Sequence, residues 1–268
     1  MALELYDHPL SPYGQKVKIA LFEKGVEFEG RLPNAIGSGQ VDATFAAANP
    51  RGEVPALLDG DAAIFDSTVI LEYIEDKWPT PALLPVTPIE RARVRMLEDV
   101  MDTHFEAITW ALSEIRNFGR AEGAEAERLE AAGAAELARW YQWLDQQLGK
   151  RAWFNGDAFG WGDACVVPFV NGAKAFGHSL PAGSALADWH HRANARDSVR
   201  KVSAEAATMT MEGASAGMVA VRQALLAGLF KREYRDHRLE WMIRNGAIDV
   251  VERGLERHNI RFTEPFAR

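Results

Sequence analysis

Apolar positions along the chain fall into two different patterns, separated by a proline-rich stretch near residue 80. Before that stretch the apolar runs are short and are broken by turn residues, which is typical of strands in a small sheet. These runs predict strands at Leu3–Tyr6, Ala56–Leu58 and Ala62–Phe65. Apolar residues at helical spacing predict helices at Pro12–Lys24 and Thr68–Lys77. The first part of the chain is therefore expected to mix strands and helices.

After the prolines, long segments at helical spacing dominate. They predict helices at Ile89–Phe118, Ala124–Gln147, Asp163–Phe176, Ala185–Ala195 and Ser198–Met211. The prolines between residues 79 and 88 are incompatible with a continuous helix and favour an extended connection. The pattern thus predicts an N-terminal domain (residues 1–79), a linker (80–88) and an all-helical domain (89–212).

Residues 213–268, called the extension below, keep an amphipathic pattern. Val221, Leu225 and Leu229 share one predicted helix face, and Met242 and Ile243 lie in the next apolar cluster, with Leu239 nearby. A solvated linker would not keep such a stripe. The extension is therefore expected to be helical and to pack against the two preceding domains. There it would either help shape a binding cleft or lie at a dimer surface.

Composition and charge narrow the functional classes. Of 268 residues, 47% are hydrophobic and the formal net charge is −8. This balance predicts a packed protein and disfavours binding to nucleic acid or to an acidic membrane. No segment approaches the ~20 apolar residues of a membrane span, and no leader pattern opens the chain, which together favour the cytoplasm. The single cysteine, Cys165, is expected to be a buried and inert side chain.

Ser11 and Pro12 stand where the first predicted strand gives way to a helix. Proline suits the first helical turn, and serine before it is a natural N-cap, so capping alone accounts for both residues. A helix N-terminus also stabilises anions, including a thiolate, and a hydroxyl there can donate a hydrogen bond to one. Ser11 is therefore either a cap alone or a cap and a catalytic group.

Two further motifs suit a peptide-like ligand. In Asn-Pro-Arg-Gly-Glu-Val-Pro (residues 49–55), a cis Val54–Pro55 bond would turn the valine N–H and C=O outward, toward a peptide group of the ligand. Asp66 and Ser67 precede a helix whose free N–H groups can bind a carboxylate. The Asp66 carboxylate can pair with an ammonium group of the same ligand.

In this order, the three motifs resemble those of the glutathione transferase superfamily, and they are similar to the glutathione half of its serine-type members. The resemblance covers residues 1–200 or so and implies an α+β thioredoxin-like domain followed by an all-α domain. Segments that begin at Lys24, Asn49 and Asp66 also look like those of bacterial transferases that cleave β-aryl ethers. That likeness lies in the glutathione half, so dehalogenation and addition to an activated aromatic remain open.

The resemblance also implies roles for single residues. Ser11 would contact the glutathione thiol, the Val54 backbone next to Pro55 would pair with the cysteinyl peptide, and Asp66 with Ser67 would hold the γ-glutamyl end. Glutathione is thus the implied co-substrate, and no metal is implied.

Other positions complete the expected site. Gln40 lies where family members place a residue on the glycyl end of glutathione. A homodimer is expected, and Asp99 or Asp102 of one subunit is a candidate for part of the other subunit's γ-glutamyl site. Tyr13, two residues past Ser11, is a candidate wall residue and a rival partner for the thiol.

The expected chemistry is stabilisation of a thiolate. A free thiol has a pKa of ~8.5, and one hydrogen bond to the charged form, at ~1.5–3 kcal/mol, would lower it by roughly one to two units. The thiolate would then attack an electrophilic carbon of a hydrophobic, aromatic substrate. Phe105, Trp110 and Phe118, at helical spacing, are either core residues or the wall of that substrate's pocket.

Several features have simpler interpretations. Gly160 stands where the family places Ser or Thr, so Asp163 is expected to provide a weakened capping box. The histidines lack metal-ligand spacing and are expected to be polar surface or core residues. A non-catalytic binding protein on the same scaffold is the main alternative function. A thiol-disulfide reductase is disfavoured because the first helix contains no cysteine.

Overall fold

The computed structural model describes residues 3–33, 43–211 and 214–262. Its first part consists of strands β1 to β4 and helices α1 to α3. They are β1 (Leu3–Tyr6), α1 (Pro12–Glu23), β2 (Phe28–Arg31), α2 (Ala43–Ala48), β3 (Ala56–Asp59), β4 (Ala62–Phe65) and α3 (Ser67–Lys77). The strand order is β2-β1-β3-β4, with β1 parallel to β2 and antiparallel to β3. This confirms the predicted thioredoxin-like arrangement.

Helix α1 is buried on nearly every side. Its apolar residues, such as Val17 and Ala20, pack against the sheet and α3, while its other face meets the helices that follow. The lysines of α1 are therefore buried as well, and each needs an acidic partner. Lys18 lies 2.7 Å from Asp7, and Lys16 reaches two carboxylates described below.

The second part is helical. It comprises α4 (Pro88–Val100), α5 (Glu106–Arg116), α6 (Gly123–Leu148), α7 (Trp161–Ala175), α8 (Ala185–Asn194) and α9 (Asp197–Met211). A π-helical stretch, Met101–Phe105, joins α4 to α5, where the sequence predicted one regular helix. Such wide turns inside helices are frequent at functional sites, and this one borders the cleft described below.

The turn before α7 differs from its expected form. Asp163 does accept a hydrogen bond from the Gly160 N–H at 3.1 Å, but its carboxylate also accepts from the Phe154 N–H and the Trp189 indole N–H. A Cβ at position 160 would lie 2.5 Å from the Leu83 carbonyl oxygen, which explains the glycine. The predicted capping box is therefore present with its Asp163 half alone, and Asp163 is in addition a buried centre that joins three segments.

The extension contains α10 (Ala214–Leu226), β5 (Arg232–Glu233), α11 (Asp236–Arg244), α12 (Ile248–Glu256) and β6 (Ile260–Arg261), and β5 pairs in parallel with β6. It packs mainly against α5. Leu225 and Met242 are buried as expected, whereas Leu229 is 68% exposed and Ile243 is 49% exposed. The predicted stripe fails at Leu229 because α10 ends before it. No helix in the described ranges is long and apolar enough to cross a membrane.

Candidate functional site

A cleft of about 1120 Å³ separates the thioredoxin-like part from the helices. One side is formed by the ends of β1 and β4, the N-terminus of α1 and the loop before β3. The other side is formed by α4, α5 and the segment of the extension around β5. The sequence left open whether the extension covers the cleft, and the structure shows that it forms one wall.

Ser11 lies in this cleft at the N-cap of α1. Its hydroxyl oxygen accepts a hydrogen bond from the Gly14 N–H at 3.3 Å, and Pro12 occupies the first helical turn. Because the capping bond uses only the oxygen as acceptor, the hydroxyl proton remains available for a ligand. The two roles considered for Ser11 are therefore compatible.

The loop before β3 is held by its own side chains. Asn49 donates from Nδ2 to the Glu53 carbonyl at 2.7 Å and accepts from the Arg51 N–H at 2.9 Å. Gly52 adopts a φ of 63°, which only glycine tolerates readily. The loop presents Val54 and Pro55 to the cleft, and the bond between them is cis. Within the described chain the Val54 backbone makes no hydrogen bond, so it is free to pair with a ligand.

Asp66 caps α3 from an unusual backbone conformation. Its φ is 76°, in a region that non-glycine residues rarely occupy, and its Oδ1 accepts from the Thr68 N–H at 3.0 Å. Strain of this kind concentrates at ligand sites. The second carboxylate oxygen lies 3.7 Å from an Arg51 nitrogen, and Ser67 lines the cleft next to it. Asp66 and Ser67 therefore combine a carboxylate, a hydroxyl and a helix N-terminus.

A buried charge cluster lies beneath these groups. Lys16 Nζ is 2.7 Å from Glu98 and 2.5 Å from Asp102, while Glu98 also accepts bonds from Thr68 and the Trp161 indole. Burial raises the pKa of Asp102 to about 7, with a further rise from the Glu98 charge and an opposing effect of Lys16. The Asp102 Oδ1 atom is buried without a hydrogen-bond partner in the described structure. Asp99 and Asp102 are the two candidates for part of the other subunit's γ-glutamyl site. Both line the cleft of their own chain.

The four aromatic candidates have different positions. Tyr13 lines the cleft, but its hydroxyl donates to the Asp102 carbonyl at 2.6 Å, and burial raises its pKa well above the ordinary value. Trp110 and Phe118 also line the cleft. Phe105 does not, because it is fully buried against Tyr141, so its prediction as a substrate contact was wrong. Gln40 lies outside the described residues.

The wall formed by the extension is densely charged. Arg238 and His237 both contact Glu106, at 2.6 and 3.1 Å. The charge of Arg238 and these hydrogen bonds lower the pKa of Glu106 to about 2, although burial opposes the shift. Arg235 lies 3.5 Å from Glu53, so the extension also touches the loop that presents Val54.

Sequence reasoning missed the buried cluster and the charged wall. Lys16 could have been noticed as a lysine on a helix whose neighbours Val17 and Ala20 are apolar. The wall gave no such signal, because its positive residues alternate with acidic ones, as on a solvated helix. Only the fold brings them to the cleft.

Comparisons with known proteins agree with this arrangement. The family model for the glutathione S-transferase N-terminal domain matches residues 5–82, and that for the C-terminal domain matches residues 100–197. The chain is 30% identical to maleylacetoacetate isomerase of Pseudomonas aeruginosa over 183 residues, which cover 67% of this chain and 85% of the relative.

Two solved structures are also similar. A glutathione S-transferase from Rhodospirillum rubrum superposes with a TM-score of 0.65 at 28% identity, covering 75% of this chain and 91% of the other. Rice GST1, solved in complex with glutathione, superposes with a TM-score of 0.63 at 30% identity and the same coverage. The extension lies beyond both family models.

Proposed function

Because the chain belongs to the glutathione S-transferase family, we propose that it binds glutathione in the described cleft and uses Ser11 to stabilise the thiolate. The observation that carries this proposal is the free hydroxyl proton of Ser11 at the N-terminus of α1. The Val54 backbone would pair with the cysteinyl peptide, and Asp66 with Ser67 would hold the γ-glutamyl end. Tyr13 is the weaker thiol partner, because its proton is already donated to a carbonyl oxygen.

The bound thiolate would attack an aromatic electrophile held by the opposite wall. Trp110, Phe118 and Phe230 line that wall, and the last two are stacked with 6.0 Å between ring centroids. Cleavage of a β-aryl ether or displacement of a halide fits this chemistry, since both replace a leaving group on carbon with sulfur. The helix dipole at α1 adds about 0.3–1 kcal/mol to thiolate stabilisation.

Retention on a glutathione column, followed by turnover of aryl ethers and haloaromatics, tests this function. We expect specific elution by glutathione and a glutathione conjugate detected by mass spectrometry. Retention without turnover of any electrophile would instead support a binding protein on this scaffold. Reduction of mixed disulfides as the only activity would also contradict the proposal.

Isomerisation is a second candidate, favoured by the name of the Pseudomonas relative. It would use the same thiolate, but the sulfur would leave again after the substrate has rearranged. Isotope-labelled glutathione distinguishes the two reactions. Label in the product indicates transfer, whereas product without label and undiminished glutathione indicates isomerisation.

Asp66→Asn is expected to raise the half-saturating glutathione concentration about tenfold, or about 1.4 kcal/mol. Asparagine keeps the helix cap and removes only the charge that would face the γ-glutamyl ammonium group. The exposed Asp76 of the same helix provides a matched control, Asp76→Asn. Equal glutathione affinity in both variants would place the γ-glutamyl site elsewhere.

We also propose a homodimer that buries the exposed apolar residues of α3 and α4. Val69, Ile89 and Met96 are 53%, 74% and 57% exposed, which favours a covering partner over solvent. A second copy of the chain is the expected partner. Light scattering coupled to size exclusion should give twice the chain mass, and Met96→Glu should shift it toward the monomer.

A further inference from the structure

One cation in the extension's wall has no acidic partner. Each arginine that lines the cleft from this segment has one. The pairs are Arg232 with Glu114, Arg235 with Glu53, Arg238 with Glu106 and Arg261 with Glu233. Lys231 also lines the cleft, yet it forms no ion pair or hydrogen bond with any residue in the described ranges.

The backbone around Lys231 is held in place on both sides. The preceding Phe230 stacks on Phe118 with ring planes 9° apart. The following Arg232 packs over the same Phe118 ring at 3.8 Å, and its N–H donates to the Asn259 carbonyl at 2.9 Å. Lys231 is therefore presented from a fixed segment, and it is only half-buried, so an ammonium group there can reach a ligand.

The neighbouring surface suits a ring that carries a negative group. Phe118, Phe230 and Trp110 line the same cleft, and their ring edges supply apolar contact area. Ser113 also lines the cleft; its hydroxyl oxygen accepts from Asn117 at 3.0 Å, which leaves its proton free to donate. An unpaired cation and a free hydroxyl donor that line the same cleft are the groups that recognise a carboxylate.

We propose that Lys231 binds a carboxylate on the second substrate, so that the enzyme prefers aromatic carboxylates to neutral electrophiles. The inference rests on the proposed function, since it describes the partner of the glutathione thiolate. Because the extension lies outside both matched family models, this specificity would come from the part of the chain that the family models do not cover.

A matched pair of electrophiles tests the preference, namely 4-chloro-3-nitrobenzoate and 4-chloro-3-nitrobenzamide. In both, the thiolate sulfur forms a bond to the chlorine-bearing carbon, chloride leaves with the electron pair of the C–Cl bond, and the thiol proton passes to solvent. The quantity measured is the ratio of kcat/KM for the carboxylate to kcat/KM for the amide.

Lys231→Gln should lower this ratio about tenfold, and Lys231→Arg should retain most of it. The exposed Lys150, which lies outside the cleft, provides the control Lys150→Gln, which should leave the ratio unchanged. An unchanged ratio in Lys231→Gln would overturn the proposal. So would a raised half-saturating glutathione concentration at constant ratio, because Lys231 would then serve the glycyl carboxylate.

Calorimetry separates this inference from the proposed function, because it needs no turnover. Benzoate should bind the glutathione-saturated protein more tightly than benzamide does, and Lys231→Gln should remove the difference. If neither chloroarene reacts but benzoate binding still depends on Lys231, the proposed transfer fails and the carboxylate site stands. If both ligands bind equally to the unmodified protein, the carboxylate site is refuted.

Discussion

Ser11→Ala should lower kcat with an aromatic electrophile about 10- to 150-fold, while the half-saturating glutathione concentration changes little. The range corresponds to the ~1.5–3 kcal/mol of a hydrogen bond to a charged group. The hydroxyl acts on the thiolate and much less on the neutral ligand, so the loss falls on turnover. Ultraviolet absorbance of the bound thiolate against pH should show the thiol pKa rising by roughly one to two units.

The control must separate catalysis from capping. Ser184 caps α8 in the same way, accepting from the Ala187 N–H at 3.1 Å, and it lies outside the cleft. Loss of either cap should cost about 1 kcal/mol of unfolding free energy. Only Ser11→Ala should also slow turnover. Equal kinetics in the two variants would leave Ser11 as a cap and direct attention to Tyr13.

Glu114→Gln should reduce the free energy of unfolding by about 3–5 kcal/mol. Glu114 is fully buried in α5, where its carboxylate contacts Arg232, lies 3.2 Å from Arg120 and accepts from the Tyr234 hydroxyl at 3.1 Å. Removing its charge leaves two buried guanidinium groups without their anion, and that is the costly way to break a buried ion pair. Urea denaturation followed by circular dichroism measures the change.

A second glutamate provides the matched control. Glu130 pairs with Arg116 on the surface, where both side chains are 36% exposed. Glu130→Gln should therefore cost at most about 1 kcal/mol. Since two of the Glu114 partners belong to the extension, limited proteolysis should also cut Glu114→Gln in that region before the control. Equal midpoints for the two variants would show that the buried cluster does not hold the extension in place.

Local signals made much of the thioredoxin-like part predictable. Ser11 before Pro12 and Asp66 before Ser67 mark helix starts by capping chemistry, which depends on neighbouring residues alone. Both residues line the cleft in the structure. Their roles toward glutathione stay predictions, because capping chemistry marks a helix start and does not identify a ligand.

The remaining features depend on contacts between distant parts of the chain. Phe105 and Trp110 have the same apolar character and lie close together on one helical path, yet one is core and the other borders the cleft. Sequence periodicity did not assign their faces, because the π-helical stretch that ends at Phe105 shifts the helical phase of α5 relative to α4. Lys231 likewise gains its position from its neighbours, because Phe230 and Arg232 both pack on Phe118, which follows α5.

The ion pair between Arg235 and Glu53 can form only late in synthesis of the chain. It joins residues 182 positions apart, so the cleft wall is among the last parts of the described chain to leave the ribosome. Chains generally fold from the N-terminal domain during synthesis. The groups around Ser11 and Asp66 can therefore assemble while the cleft is still open on one side. A nascent chain arrested before Lys231 would present the groups around Ser11 and Asp66 to solvent, with the wall formed by the extension still missing.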